Sequence, residues 1–375
     1  MNPFALVTVI VLLGGLIYGG GKISLWIPAA TFVAACGGMV VVWRHECREA
    51  EQRRRAAGGI NYPELSGIDV LTYGPWVKQN LRGHDVVVDQ ILTTLQEELS
   101  LAGPGKNLGA FLLVGPTGTG KTFLAHLIAQ VVYPDSPPVF LRMNQYKHAD
   151  DVFTLIGAPP GRPGFELGGS LTRPVMENPR RVVILDELEK AHPDLHHCLY
   201  DILDTASCRE KSSGKMVDFS GCVFFATCNA GAEILRGVYE RTAEPAARLG
   251  QARNVLAEAA GFEKSFLARW HRIELMDELP LLQVAEVACL QLAKHWRGFG
   301  IEVNYTSPEL ILEAVEKNAE FQQYGVRQLG AFLKTKTNAA IVQARAANVK
   351  QVRLLAGEDG QLVVQACEPG EEHVA

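Results

Sequence analysis

The sequence predicts an α/β fold: a large domain whose parallel sheet is sandwiched by helices, then a small α+β C-terminal domain, with a two-helix transmembrane hairpin in front. Three features predict it. "GAFLLVGPTGTGKTFLAHLIAQVV" passes from a short β-rich apolar stretch through a glycine-rich turn into a helical apolar pattern. "RRVVILDELEK" and "GCVFFATCNAG" are further unbroken apolar runs ending in polar residues, as strands buried on both faces read. Finally, residues 1–43 hold two uncharged apolar runs, each near the minimum length that crosses a hydrocarbon core.

Those runs are "FALVTVIVLLGGLIYGGG" and "LWIPAATFVAACGGMVVVW", separated by a few residues around Lys22. Gly14, Gly15, Gly37 and Gly38 would let the two helices approach closely, and Trp26 and Trp43 sit where aromatic belts form. A cleaved signal peptide would need a positive start, which Met1-Asn2-Pro3 does not offer. Arg44, Arg48, Arg53, Arg54 and Arg55 follow the second run against one lysine in the turn, so both ends are expected on the cytoplasmic side of the inner membrane. Residues 44–75 then read as a juxtamembrane linker: mixed charges extend the helix and "GGINYPELSG" breaks it.

A net charge of −5 and the lack of a basic–aromatic tract give no pull toward nucleic acid, and none is expected as a partner. The eight cysteines show no CxxC spacing and read as reduced thiols. "AHPDLHHCLY" holds three histidines and a cysteine, but His196 and His197 point to different sides of a helix, so structural or solvated histidines are the reading. The arginines of "LRGVYERTAEPAARLGQARNVL" alternate with acids and alanines and read as a solvated helical face.

The chemistry concentrates at strand ends. Gly115, Pro116, Thr117, Gly118, Thr119, Gly120, Lys121 and Thr122 fit GxxxxGK[ST] between a strand and a helix, where backbone N–H groups wrap phosphates at the helix start. Lys121 would reach the β and γ phosphates of ATP, and Thr122 would ligate Mg²⁺. Asp186 and Glu187 end the next run: Asp186 can hold Mg²⁺, and Glu187 can polarise an attacking water. Asn229 ends the third run, where its amide could position water near the γ-phosphate.

The set "GPTGTGKT", "LIGAPPGRPGFELGGSLT", "VVILDELEKAHPD", "VDFSGCVFFATCNAG" and "FEKSFLARW" resembles the second ATPase module of the Clp/Hsp100 branch of the AAA+ proteins, of ClpA/ClpB type. The resemblance runs in family order over residues 76–366, with "YGVRQL" and "KQVRLLAGEDGQLVV" matching the small domain. It implies an ATPase working as a homo-oligomeric ring, a hexamer in that family. Asn229 would be the first phosphate sensor, Arg269 the arginine finger reaching a neighbour's site, and Arg327 a second sensor from the small domain. "LRGHDVVVDQI" resembles the segment lining the base pocket. The implied domains are a large ATPase domain over 76–278, a small domain over 279–366 and a tail over 367–375.

Two departures from the family matter. The expected membrane hairpin would stand where the family's substrate or adaptor domain is found, and one ATPase module is expected after it. The loop at Gly161, Arg162, Pro163, Gly164 and Phe165 has the family's frame, but Arg162-Pro163 replaces the usual aromatic and small apolar pair. An aromatic face grips many chains, whereas a guanidinium prefers carboxylates, phosphates or ring faces, and proline stiffens the loop. The leading expectation is a membrane-anchored ATPase that remodels a selected protein or membrane complex. An ATP-controlled assembly scaffold is the alternative, and a nucleic-acid motor the third reading.

Overall fold

The computed structural model describes residues 60, 62–320, 326–357 and 362–367, without the side chains of 317–320, 326 and 327. The hairpin expected over residues 1–43, most of the linker and the tail after residue 367 lie outside the described residues. Among the described residues, no helix is long and apolar enough to cross a membrane.

The linker ends earlier than its composition predicts. A helical turn at Tyr62–Leu65 precedes Val70, and both Leu65 and Val70 are fully buried in the same apolar layer as Ile91 and Leu95. Residues 62–75 therefore belong to the large domain, anchored by two apolar side chains within a glycine- and proline-containing stretch. Helices α1 (Gly74–Asn80) and α2 (Asp85–Ser100) follow.

Five parallel strands form the main sheet: β1 (Ala110–Val114), β2 (Val139–Arg142), β3 (Arg181–Asp186), β6 (Cys222–Cys228) and β7 (Arg272–Leu275), in the order β2-β3-β6-β1-β7. A two-stranded ribbon, β4 (Ser207–Arg209) with β5 (Met216–Asp218), lies outside it. Alternation along β1 shows why its sequence is unbroken in hydrophobicity. Phe111 and Leu113 face a layer built from α2 and α3 (Lys121–Val132), while Ala110, Leu112 and Val114 face the opposite layer. That opposite layer draws on α4 (Pro193–Thr205), α5 (Ala232–Arg241) and α6 (Pro245–Ala259). With both faces covered, every position of β1 and β6 must be apolar or small. The Phe111 and Phe225 rings stack 5.0 Å apart across the central pair of strands.

The small domain packs α7 (Leu281–Arg297), α8 (Pro308–Glu320) and α9 (Val326–Ala346) with a three-stranded sheet of order β10-β9-β8. Its strands are β8 (Glu302–Thr306), β9 (Gln351–Ala356) and β10 (Leu362–Ala366). Val284, Ala288, Leu292 and Trp296 recur every fourth residue along α7 and form one stripe of its core. β9 and β10 pair antiparallel; β8 joins β9 in parallel, a pairing that local patterning does not reveal. Ser307, just before α8, accepts a hydrogen bond from the Ala356 N–H at 3.1 Å, so its hydroxyl ties α8 to β9.

Candidate nucleotide site

Parallel strands with crossover helices leave a crevice at their C-terminal ends, where strand order reverses. Here β1, β3 and β6 lie side by side, so the loops after them share one place. Gly118 and Gly120 adopt φ of +86° and +99°, which folds the loop back over the start of α3. Gly115 is required for another reason: a Cβ there would lie 2.0 Å from the Met276 carbonyl oxygen.

Lys121 is buried, and its Nζ donates to the Gly115 and Pro116 carbonyls at 2.7 and 2.6 Å. Burial pushes its ammonium down to about 8, with Glu189, Asp186 and Glu187 pulling the other way. A phosphate beside this amine would supply the counter-charge that burial has removed. Thr122 Oγ1 donates to Asp186 Oδ1 at 2.7 Å, so hydroxyl and carboxylate converge from two different elements. Two adjacent oxygen donors suit a hard cation, and Thr122 with Asp186 fits Mg²⁺.

Glu187 has φ of +58°, a left-handed conformation costly for a glutamate. The turn is held by its N–H, which donates to Thr227 Oγ1 at 2.9 Å, while that hydroxyl donates to Asp186 Oδ1 at 2.9 Å. Asn144 Nδ2 donates to Glu187 Oε2 at 2.8 Å, and Lys190 Nζ lies 2.9 Å from Oε1. Asn229 is tied by its own N–H to Glu189 Oε1 at 3.1 Å. Thr117, Gly118, Gly120, Lys121, Thr122, Phe123, Asp186, Glu187, Thr227 and Asn229, with Gln291 from the small domain, line one cleft of about 260 Å³. Thr119 is buried beneath it, its carbonyl 3.0 Å from His84 Nε2, which joins "LRGHDVVVDQI" to the phosphate loop.

Sequence reasoning named the motif residues and missed their supports. Thr227 sits in a buried strand one position before the recognisable Cys228-Asn229 end, and Asn144 follows a strand of only four residues. Gln291 comes from a helix far along the chain.

Arg269 is not among the residues lining this cleft. Its Nε lies 2.5 Å from Asp204 Oδ1, a terminal nitrogen donates to Tyr200 Oη, and its guanidinium stacks 4.4 Å from the Tyr200 ring centre. Arg253, read from sequence as part of a solvated face, instead donates to the carbonyls of Leu267, Ala268 and Trp270 at 3.2 to 3.4 Å. It braces the turn that carries Arg269 by tying three of its backbone oxygens to one guanidinium. Arg327 lies at the start of α9, one turn before Gly330, where a Cβ would come 2.4 Å from Gln291 Oε1.

The histidines near α4 are occupied locally. His192 Nδ1 accepts from the Asp194 N–H at the helix start, and the His196 ring stacks on Phe266 at 5.3 Å. His197 Nε2 stands 3.9 Å from Glu263.

Residues 159–168 form a chain of tight turns. Arg162 N–H donates to the Pro159 carbonyl at 3.2 Å, and Phe165 N–H to the Arg162 carbonyl at 3.3 Å, with Gly161 and Gly164 at positive φ around Pro163. The Arg162 Nη1 pairs with Asp150 Oδ1 at 3.1 Å, and its guanidinium sits 4.3 Å from the Phe153 ring centre. Phe165 is 38% exposed and Leu167 70% exposed. Behind the loop, the segment between β4 and β5 supplies Glu210, whose Oε1 accepts from the Gly169 N–H at 3.2 Å, and Lys211, whose N–H donates to the Ile156 carbonyl at 2.9 Å.

Comparison with known proteins agrees with this architecture. The model of the AAA domain, Cdc48 subfamily, matches residues 106–273. The chaperone protein ClpB of Enterococcus faecalis is 33% identical over 272 residues, covering 70% of this chain and 30% of that protein. ClpB of Rhodopirellula baltica is 31% identical over 273 residues, covering 71% and 30%. Thus the chain spans about 30% of the length of these curated relatives. A cryo-EM reconstruction of closed-state Hsp104 with ATPγS and FITC-casein superimposes with a TM-score of 0.64 at 21% identity, covering 79% of this chain and 52% of that one, and shows the shared fold. Residues 106–273 therefore form an AAA ATPase domain related to that of the ClpB chaperones.

Proposed function

We propose that this protein is a membrane-anchored ATPase that couples Mg²⁺-dependent ATP hydrolysis, in a homo-oligomeric ring, to remodelling of a selected protein or membrane complex. The anchor would be the hairpin at residues 1–43, leaving the ATPase domain in the cytoplasm, and the ring would have six subunits as in the family it resembles. The observation that carries the ATPase half is the convergence of Lys121, Thr122, Asp186, Glu187 and Thr227 on one cleft at the ends of three adjacent strands.

In this reading Lys121 and the loop N–H groups hold the β and γ phosphates. Thr122 and Asp186 would hold Mg²⁺, which would supply positive charge against that of the phosphates. Glu187 takes a proton from the attacking water and Asn229 positions that water; Arg269 reaches a neighbouring subunit's cleft, and Arg327 approaches from the small domain.

Two variants test the site. Lys121→Ala should lose nucleotide binding, while Glu187→Gln should bind nucleotide with unchanged affinity and hydrolyse it roughly 10²–10⁴ times more slowly. Undiminished turnover by purified Glu187→Gln protein would end the assignment.

One observation favours the scaffold reading. Arg162, at the position where an aromatic grip would stand, is occupied within its own chain by Asp150 and Phe153. Movement of a stimulating protein through the ring supports remodelling; ATP-dependent assembly without such movement supports the scaffold.

A further inference from the structure

We propose that Arg236 and Asp277 form a latch that ties the orientation of the small domain to the nucleotide cleft. They would be positioning residues, since neither lines the cleft. The proposal builds on the ATPase reading above and adds to it a route by which the state of the cleft reaches the rest of the molecule.

The first element of that route is α5. It begins at Ala232, directly after the Asn229–Gly231 turn, and Arg236 lies about one helical turn along it. A displacement of Asn229 therefore reaches Arg236 through the short Ala230-Gly231 turn and a single turn of helix.

The second element is the connection between domains. Met276 is buried against the phosphate loop: its N–H donates to the Val114 carbonyl at 2.8 Å, and its own carbonyl leaves no room for a Cβ at Gly115. Asp277 is the next residue, where the chain leaves the sheet. Residues 277–280 then lead into α7, which starts at Leu281 and carries Gln291 to the cleft.

Arg236 bridges these two elements with a two-pronged contact. Its Nε donates to Asp277 Oδ2 at 2.5 Å and a terminal nitrogen donates to Oδ1, with Glu278 Oε2 3.9 Å away. Asp277 Oδ1 also accepts from the Glu278 N–H at 2.7 Å, which fixes the first peptide of the connection relative to the carboxylate. A single-pronged surface ion pair contributes little, but a planar fork on both carboxylate oxygens sets direction as well as distance.

Orientation matters here because the small domain meets the large one at several points near the cleft. Arg82 Nε pairs with Glu286 Oε2 at 3.5 Å, Lys294 Nζ stands 5.5 Å from the Phe123 ring centre, and a Cβ at Gly83 would come 2.3 Å from Gln283 Oε1. Tilting α7 would alter all three contacts together with Gln291. The latch is the contact joining the helix after Asn229 to the pivot of that tilt.

The test uses the full chain with spin labels, attached through unnatural amino acids, at exposed Leu101 and Val342 on the two domains. Distance distributions are recorded without nucleotide and with ADP, alongside kcat and KM for ATP. Asp277→Asn should broaden the nucleotide-free distribution and lower kcat about tenfold, the loss expected from one charge-assisted hydrogen bond, while KM stays within about twofold. The reversed pair, Arg236→Asp with Asp277→Arg, should restore a narrow distribution and most of kcat. A wild-type distribution in Asp277→Asn overturns the latch, and so does a reversed pair that stays broad. Should wild-type protein fail to hydrolyse ATP while Asp277→Asn still broadens the distribution, the ATPase reading falls and the mechanical tie stands.

Discussion

The nucleotide cleft and the loop at residues 159–168 are both built from turns at the edge of the same domain, yet they are held in opposite ways. In the cleft Lys121 is held by carbonyls of its own loop, but the other groups are fixed by residues distant in sequence: Thr122 by Asp186, Glu187 by Thr227 and Asn144, Asn229 by Glu189. The face of the loop is fixed from within, by turn hydrogen bonds and by Asp150 and Phe153, about ten residues before Arg162. Its long-range supports, Glu210 and Lys211, hold only its two ends. Cross-strand fixation makes positions interdependent, as chemistry on a phosphate requires. Local fixation leaves the exposed face free to change without disturbing the fold, which suits a surface that selects partners.

The largest effect should come from a group that stands outside its own cleft. Arg269→Ala should leave nucleotide affinity unchanged and slow hydrolysis by roughly 10³ or more, as removal of an arginine supplied in trans does. If Arg269 serves a neighbour's cleft, subunits carrying Arg269→Ala retain an intact cleft, and subunits carrying Glu187→Gln retain Arg269. Mixing the two should recover part of the turnover that each lacks alone. Full activity in an Arg269→Ala protein would confine the chemistry to one subunit and remove the need for a ring.

Within the cleft, Thr227→Val tests whether cross-strand support matters. The swap keeps shape and removes the hydroxyl that holds both the Glu187 N–H and Asp186. Two hydrogen bonds at the Glu187 turn, one of them to a carboxylate, are worth about 1.5–3 kcal/mol, so kcat should fall roughly 10- to 100-fold if Glu187 acts as proposed. Nucleotide affinity should change little, because Lys121 and the loop N–H groups are untouched. Equal losses in kcat and affinity would mean that Thr227 shapes the whole pocket and not the Glu187 turn.

Arg253→Lys is a milder probe of the same kind. A lysine keeps the charge but cannot reach three carbonyls with one planar fork. Turnover should drop severalfold through loosened placement of Arg269, and an isolated subunit should bind nucleotide normally. Unchanged turnover would show that Asp204 and Tyr200 alone hold Arg269 in place.

What the sequence revealed follows the same division. Gly115–Thr122, Asp186-Glu187 and Asn229 were legible because each ends an apolar run whose two buried faces leave no polar alternatives inside the strand. Thr227 and Asn144 were not, since their significance depends on β6 lying beside β3 and on β2 lying beyond it, and strand order is absent from local pattern. Arg253 looked like surface charge because its acceptors arrive from a turn 14 to 17 residues later. The linker boundary was misplaced for a related reason: Leu65 and Val70 are single anchors in a segment whose average composition signals a break. The loop's frame was legible, but the partners of Arg162 were not. Neither a carboxylate 12 residues before it nor a ring between them marks itself as a neighbour until the turns are in place.

The smallest effect on the fold, and the sharpest test of the comparison, lies at Arg162. Its pair with Asp150 is exposed on both sides, so breaking it should cost under about 1 kcal/mol, with a similar amount for the contact with the Phe153 ring. Arg162→Glu should therefore leave thermal stability and basal ATP hydrolysis near wild type, since no atom of the loop reaches the cleft lining. If the guanidinium recognises acidic or phosphate-bearing segments of a partner, charge reversal should abolish partner-stimulated hydrolysis. If Arg162 instead only shapes the loop through Asp150 and Phe153, recognition passes to the exposed Phe165 and Leu167. Arg162→Met would then retain stimulation, and Leu167→Ala would lose it. Measuring stimulation for these three variants against one partner separates a charged reader from an apolar one. A loss of basal turnover in Arg162→Glu would refute the independence of loop and cleft on which the comparison rests.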